Sequence, residues 1–143
     1  MLEIIFTAAS GLAMLGWLCL LAAHRKRWAH WWVAGVTIPG VLGLLYLGLI
    51  LRYWSTGQGG FDSLANVALL FQSPPLLLAG WVHYLAFDLL IGAWQARRAA
   101  ERGIAWWQLA PCLALTFMFG PIGWLLFMAL DRARGDSAHA AAH

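Results

Sequence analysis

The sequence predicts an all-α integral membrane protein, a four-helix bundle with a short interfacial helix between the second and third spanning helices. Hydrophobic residues make up 62% of the 143 residues and charged residues only 10%, whereas about a quarter of a typical soluble domain is charged. Continuous apolar runs, each near the ~20 residues that cross ~30 Å of hydrocarbon, cover residues 4–23, 31–51, 75–94 and 105–130. Continuous runs favour helices, because barrel strands alternate apolar and polar residues.

The charges that flank the first run show that it is a retained span and orient the bundle. A signal peptide carries positive charge before its apolar stretch, whereas here Glu3 precedes the run and the basic triplet of residues 25–27 follows it. Loops 24–30 and 95–104 together hold six of the nine Lys and Arg residues. The positive-inside rule therefore predicts a multi-pass protein with both loops in the cytoplasm and both termini outside, on the periplasmic side. The net charge of +3 fits contact with membrane lipid and gives no case for nucleic acid.

Two of the apolar runs contain helix breakers. The second run contains "TIPG" at residues 37–40, which predicts a mild break. The last run contains Pro111 and Pro121, and each proline removes an amide donor, so the helix should kink at both. The sharper break is expected at "FGPIG", residues 119–123.

The long connection after the second run, residues 52–74, begins with a glycine-rich turn. Asp62 or Ser63 is suited to cap a short helix after this turn, and that helix is expected to lie in the interface as a connector or, alternatively, as a substrate lid. The small, polar residues 132–143 predict a flexible tail, which leaves residues 1–131 as the transmembrane domain.

Aromatic and cysteine residues have mainly structural interpretations. Most of the tryptophans lie at the ends of the runs, where the rings anchor among headgroups, but Trp17, Trp81 and Trp124 lie within spans and are expected to pack in the bundle or line a cavity. Cys19 and Cys112 have no metal or redox spacing. No metal site or other cofactor is predicted, because His83 lies about 15 Å in height from the histidines at the helix ends.

Polar residues inside the third run are the candidate site. At 100° per residue, Tyr84, Asp88, Gly92 and Gln95 form one stripe that should face protein. An ionised Asp88 within the span costs at least ~2.5 kcal/mol, so it needs a partner, a proton or water. One interpretation is structural, with Asp88 bonded to Tyr84 and holding helices together. The other is proton chemistry in which His83 and Asp88 face the bundle interior and flank one cavity.

Two motifs in order along the chain resemble the abscisic-acid-deficient-4-like family, whose plant members are associated with neoxanthin synthesis. They are "WVHYLAFDL" at residues 81–89 and "FGPIG" at residues 119–123. The basic loop before the second run, the segment "IPGVLGLLYLGL" at residues 38–49 and the polar loop before the third run are similar too. One departure is that the family often has an arginine near the position of Ala93, where this chain instead offers Gln95, Arg97 and Arg98.

The resemblance implies a membrane protein that isomerises the epoxide end group of a xanthophyll to an allenic alcohol without a cofactor. His83 and Asp88 are then the acid and base, with Tyr84 as a helper. Substrate contacts are expected from the polar stripe and the breaks: Trp81, Gly92, Gln95, Phe119, Gly120, Pro121, Gly123 and Trp124. Two alternatives stay open: a non-catalytic carotenoid-binding or assembly protein, and a small proton-coupled transporter that would need to oligomerise.

Overall fold

The computed structural model describes residues 1–22 and 29–140, and every regular element in that part of the chain is helical. The all-α prediction is therefore confirmed. A π-helical segment, Ala29–Thr37, precedes α2, and a short 3-10 turn, Trp54–Thr56, follows it. The α-helices are α1 (Leu2–Ala22), α2 (Ile38–Tyr53), α3 (Leu64–Gln72), α4 (Pro74–Glu101), α5 (Trp106–Phe119) and α6 (Pro121–Ala140).

Length and composition of the helices indicate a membrane protein. Three stretches are long and apolar enough to cross a bilayer, Leu2–Leu21, Trp32–Thr56 and Pro74–Glu101, and Trp106–Phe119 is a shorter apolar helix. Many large apolar side chains are exposed on these helices, for example Leu44 and Leu51 on α2. Such a surface is stable against hydrocarbon and unfavourable against water.

Helix α4 is the centre of the fold, and α1 packs parallel to it. Phe6 of α1 contacts Trp81, with ring centroids 5.6 Å apart. Almost three turns further along α1, Gly16 meets Leu89. A Cβ on Gly16 would lie 2.5 Å from Leu89 Cδ2, and a Cβ on Gly92 would lie 2.7 Å from Trp17 Cη2. The two glycines therefore let the helices approach closely, as small residues do in membrane helix pairs.

Helix α2 packs antiparallel to α4 on another side. The imidazole of His83 lies 5.5 Å from the Tyr46 ring, and Gly57, just after α2, lies against Leu76 near the start of α4. The predicted break at residues 37–40 is confirmed as a change from π-helix to α-helix between Thr37 and Ile38. The basic segment at residues 23–28 lies outside the described residues.

The predicted short helix after the glycine-rich turn is confirmed as α3, with Ser63 as its cap. Ser63 Oγ accepts a hydrogen bond of 3.2 Å from the Asn66 amide. Gly59 adopts a φ of +93° beneath the helix, where a Cβ would collide with the Asn66 backbone carbonyl, so glycine is required there. Phe71 of α3 packs on Gly80, which docks the helix onto α4. The location of α3 in the membrane interface stays a prediction.

The last apolar run is a helical hairpin, so the prediction of a single fourth spanning helix is wrong. Helix α5 continues through Pro111 and ends at Phe119, and α6 begins at Pro121. Gly120 between them has a φ of +45°. Helix α6 then returns alongside α5: Gly123 packs against Thr116, and the Arg134 guanidinium donates a hydrogen bond to Gln108 Oε1.

Ion pairs fix the open end of this hairpin to the end of α4. Asp131 of α6 is only 5% exposed; Arg98 lies 3.1 Å from its Oδ2 and Arg102 lies 3.1 Å from its Oδ1. Trp94 and Phe127 pack edge to face one turn nearer the hairpin tip. Helix α6 thus runs parallel to α4 and extends to Ala140, past the domain boundary expected at residue 131. The flexibility of residues 132–143 stays a prediction.

Candidate functional site

Asp88 lies at the middle of α4, against the tip of the hairpin. Its side chain is 7% exposed, and its Oδ2 is buried with no hydrogen-bond partner among the described residues. A Cβ on Gly120 would lie 2.9 Å from Asp88 Oδ1, so the missing side chain of Gly120 makes room for the carboxyl group. A buried carboxyl oxygen without a partner is rare in folded proteins and marks this position as a candidate site.

Tyr84 lies one turn before Asp88 and satisfies a backbone group that the helix break leaves free. The Phe117 carbonyl would normally accept a bond from the amide four residues later, but that residue is Pro121, which has no N–H. The Tyr84 hydroxyl donates to the Phe117 carbonyl instead, at 3.3 Å. Tyr84 therefore holds the hairpin tip against α4 and keeps its hydroxyl near the Asp88 carboxyl.

A cavity of about 260 Å³ opens beside this pair, between α1, α4 and the hairpin tip. Apart from Tyr84 and Asp88, only Ser10 offers a polar side chain to it. The cavity is a mostly apolar space with a carboxyl group and a phenol on its wall, and a few polar groups in an apolar pocket are the usual composition of a small-molecule site. Its lining residues are Ser10, Ala13, Met14, Trp17, Trp81, Tyr84, Leu85, Asp88, Phe117 and Met118.

Trp81 is the one predicted substrate-binding residue that lines this cavity. Its indole Nε1 donates a hydrogen bond of 3.0 Å to Ser10 Oγ. Its ring also contacts Phe6 and Tyr84, with centroids 5.6 and 5.5 Å away. The indole is thereby held in one orientation. Trp17 lines the same cavity and is buried, so the expectation that tryptophans within spans pack or line a cavity is met at both positions.

His83 does not join Asp88. Asp88 is buried, as predicted, but the prediction that His83 also faces the interior and flanks the same cavity is wrong. The His83 side chain is exposed and lines a separate cavity of about 350 Å³ between α2, α3 and α4. Its imidazole lies between the rings of Tyr46 and Phe87, at centroid distances of 5.5 and 4.6 Å. The physical reason is that α4 has neighbours on several sides, so two directions 140° apart on its surface open into different spaces.

Gln95 and Thr116 form a polar contact within the hairpin interface, away from the cavity. Both side chains are fully buried. Thr116 Oγ1 donates to Gln95 Oε1 at 3.1 Å and lies 2.8 Å from the Cys112 carbonyl. Gln95 Nε2 has no partner among the described residues. The contact joins α5 to α4 on the far side of Asp88, so Gln95 supports the site and does not line it.

The remaining predicted substrate residues do not line this cavity. Gly92 contacts Trp17 of α1, and Gly123 lies inside the hairpin. Phe119 and Trp124 are more than a third exposed on the outer surface of the hairpin, and Pro121 begins α6. The cavity-lining residues that were not predicted from the sequence lie mainly on α1 and at the end of α5. Small residues at helical spacing in the first run, Ser10 and Ala13, are the signal that could have indicated a wall of a cavity.

Metal-ligand side chains are not grouped in the described part of the chain. Across residues 1–21 and 32–134, whose side chains the structure describes, no three His, Cys, Asp or Glu side chains come together in a way that could hold an ion. The ionisable side chains that line the cavity are one carboxyl group, that of Asp88, and one phenol, that of Tyr84.

Comparison with family models gives a match over most of the chain. The family model described as ABA DEFICIENT 4-like matches residues 4–127, from the first turn of α1 to the first turns of α6. Searches of curated proteins and of solved structures found no match.

Proposed function

Because the chain belongs to the ABA DEFICIENT 4-like family, we propose that it is a multi-pass membrane protein that isomerises the end group of a carotenoid or related isoprenoid. Asp88 and Tyr84 are the proposed acid–base pair. The observation that carries the proposal is the buried Asp88 carboxyl, whose Oδ2 has no described partner and which lies beside an apolar cavity.

The unpartnered oxygen favours chemistry over a structural role for Asp88. A carboxyl group near the middle of a membrane span costs at least ~2.5 kcal/mol when ionised. A residue that only joins helices recovers part of this cost through hydrogen bonds to its neighbours. Asp88 instead leaves one oxygen unbonded, and the Tyr84 hydroxyl is bonded to the Phe117 carbonyl. The carboxyl group therefore stays available to a ligand.

The proposed reaction is an isomerisation that needs no oxidant. The Asp88 carboxylate removes a proton from the carbon next to the epoxide-bearing ring. The electron pair of that C–H bond forms the new double bond of the allene, and the epoxide C–O bond breaks. Tyr84 gives its proton to the oxygen that is released, which becomes the alcohol, and Asp88 returns a proton to the phenolate. Atoms and electrons balance, and both residues end as they began.

The hairpin changes the proposed topology of the C-terminus. The start of α1 lies beside the start of α4, while Asp131, in the middle of α6, is ion-paired to the other end of α4. We therefore propose that the N-terminus is outside and the C-terminus is cytoplasmic. Arg132 and Arg134 then join the basic loops, so that eight of the nine Lys and Arg residues are cytoplasmic. This distribution obeys the positive-inside rule more strongly than the arrangement with both termini outside.

A second candidate function is carotenoid binding without turnover. The separation of His83 from the cavity favours it, because only one carboxyl and one phenol then remain for acid–base work. The same two groups could simply bind the oxygen of an end group. The test is to supply candidate epoxy-carotenoids to cells that produce the protein and to analyse the purified protein's absorption spectrum and the cell pigments by chromatography. Bound pigment with an allenic product supports the isomerase, bound pigment alone supports the binder, and a colourless protein contradicts both.

We expect His83→Ala to retain conversion, with a loss smaller than ~10-fold, whereas the loss of a general acid or base costs 10²-fold or more. The reason is that His83 lines the cavity under α3 and does not line the one at Asp88. Chromatography of pigments from cells that contain equal amounts of wild-type and variant protein measures the effect. A 10²-fold loss in His83→Ala would show that His83 reaches the reacting end group.

A further inference from the structure

The cavity at Asp88 has a neighbouring cavity between α1 and α4, nearer the N-terminal ends of the two helices. This second cavity has a volume of about 360 Å³ and is lined by the first two turns of α1 and by Pro74, Leu77, Leu78 and Trp81 of α4. Trp81 lines both cavities, so its indole lies between them. We call the two cavities together the α1–α4 groove. It follows α4 from Pro74 to Asp88, which at ~1.5 Å per residue is about 21 Å.

The groove has one closed end. Beyond Asp88 the surface of α4 is covered, because Trp17 of α1 packs on Gly92 and Thr116 of α5 bonds to Gln95. Gly120 and the last turn of α5 stand directly at Asp88. The hairpin thus covers this side of α4 from Asp88 toward the C-terminal end of the helix, and its tip lies at the Asp88 carboxyl group. The other half of that surface, from Pro74 to Asp88, is left open to the side.

Polar groups lie only at the two ends of the groove and at one point between them. Glu3 lies at the open end, and Tyr84 and Asp88 lie at the closed end. Ser10 in the middle already accepts the bond from the Trp81 indole. The walls between are apolar, with Phe6, Trp81 and Tyr84 forming a row of adjacent rings. A polar group of a ligand would therefore find a new hydrogen bond at an end of the groove and not along its length.

We propose that the α1–α4 groove takes an elongated polyene or isoprenoid sideways from the membrane, with one compact oxygen-bearing end group first. This proposal rests on the proposed function. It adds the direction in which the ligand enters, the path along which its chain lies and the shape of chain that the groove accepts. The end group lies at Asp88 and Tyr84, and the chain lies against Trp81 and points to the N-terminal ends of α1 and α4. Trp81 favours an extended chain that can lie flat against its ring, because its indole is held between Ser10, Phe6 and Tyr84. A lipid with a bulky charged headgroup does not fit, since the closed end holds one carboxyl group in about 260 Å³.

The orientation of the ligand can be tested with two photoreactive probes. Both are geranylgeraniol, one with a diazirine beside the hydroxyl group and one with a diazirine at the opposite end of the chain. Each probe is bound to the full-length protein in detergent and irradiated, and labelled peptides are identified by mass spectrometry. We expect the hydroxyl-end probe to label the segment of Phe117 and Met118, and the chain-end probe to label the first turns of α1. The reverse pattern, or the same peptides for both probes, would overturn the proposal.

A blocking variant with a matched control separates groove binding from general attachment to the apolar surface. Met14 lines the cavity and is partly exposed, so Met14→Trp should fold and fill the groove. Leu47 is similarly exposed on α2 and lines neither cavity of the groove, so Leu47→Trp is the control. We expect labelling of the hairpin tip to fall about 10-fold or more only in Met14→Trp, by the affinity arithmetic of a blocked site. Equal labelling in the two variants would overturn the proposal that the ligand binds in the α1–α4 groove.

Failure of this proposal is distinguishable from failure of the proposed function, because labelling needs no turnover. Labelling of the hairpin tip by the hydroxyl-end probe without any allenic product would support the groove and contradict the isomerase. Allenic product together with reversed labelling would support the isomerase and contradict the groove.

Discussion

Asp88→Asn is expected to lower conversion of a bound epoxy-carotenoid by about 10²-fold or more while the protein still folds and inserts. Asparagine keeps the shape of the side chain and can accept a hydrogen bond, but it cannot exchange a proton. A role that only joins helices tolerates this change, because the Tyr84 hydroxyl keeps its bond to the Phe117 carbonyl and the asparagine amide can still accept and donate hydrogen bonds.

The measurement for Asp88→Asn is chromatography of pigments from cells that contain matched amounts of membrane-inserted protein. Asp62→Asn is the control, because it makes the same chemical change at an exposed carboxylate that bonds only to Asn66. Conversion should be unchanged in the control. Near-normal conversion in Asp88→Asn would show that the carboxyl group is structural and would remove it from the acid–base pair.

Gly120→Ala is expected to destabilise the protein by about 1–2 kcal/mol or more, which is the usual cost of a Cβ at positive φ. Gly120 has a φ of +45°, and its new methyl group would also lie 2.9 Å from Asp88 Oδ1. The methyl group must therefore displace the carboxyl group or the hairpin tip, so ligand retention should fall together with stability.

A substitution at a second glycine is the control, and it is expected to change the stability in the opposite direction. Gly43 lies within α2 with nothing close to the position of a Cβ, so Gly43→Ala should stabilise by roughly 0.5–1 kcal/mol. Thermal unfolding of the two variants in the same detergent compares them. If the thermal stability of Gly120→Ala equals or exceeds that of the wild-type protein, the described conformation of the hairpin tip is wrong.

Much of the helical framework could be predicted because it depends on local signals. Continuous apolar runs predicted the helices, and the serine before an apolar stretch predicted the cap of α3. The residues "FGPIG" predicted where the last run breaks. The direction of the chain after the break could not be predicted, because a glycine and a proline end a helix without fixing where the next one points. That direction depends on contacts between distant residues, such as Gly123 with Thr116 and Asp131 with Arg98.

Only the part of the candidate site that lies on one helix, α4, could be predicted from the sequence. Helical spacing placed Trp81, Tyr84 and Asp88 near one another, and the structure brings all three to one cavity. The same spacing also gave the angle between His83 and Asp88, but an angle does not state which helix lies in each direction. The α1 wall and the Phe117 carbonyl belong to other helices, so no spacing within the third run could reveal them.

Labelling of cysteines at the two ends of the chain tests most directly whether the last apolar run folds back at Gly120. Cys19 and Cys112 are replaced by alanine, and single cysteines are introduced as Glu3→Cys or Ser137→Cys. A membrane-impermeant maleimide is then added to intact cells and, separately, to permeabilised cells. We expect residue 3 to react in intact cells and residue 137 to react only after permeabilisation, because the hairpin returns the chain to the side of the Arg98–Asp131 ion pair. Reaction of both residues in intact cells would mean that the run crosses the membrane, and it would remove the closed end of the groove at Asp88.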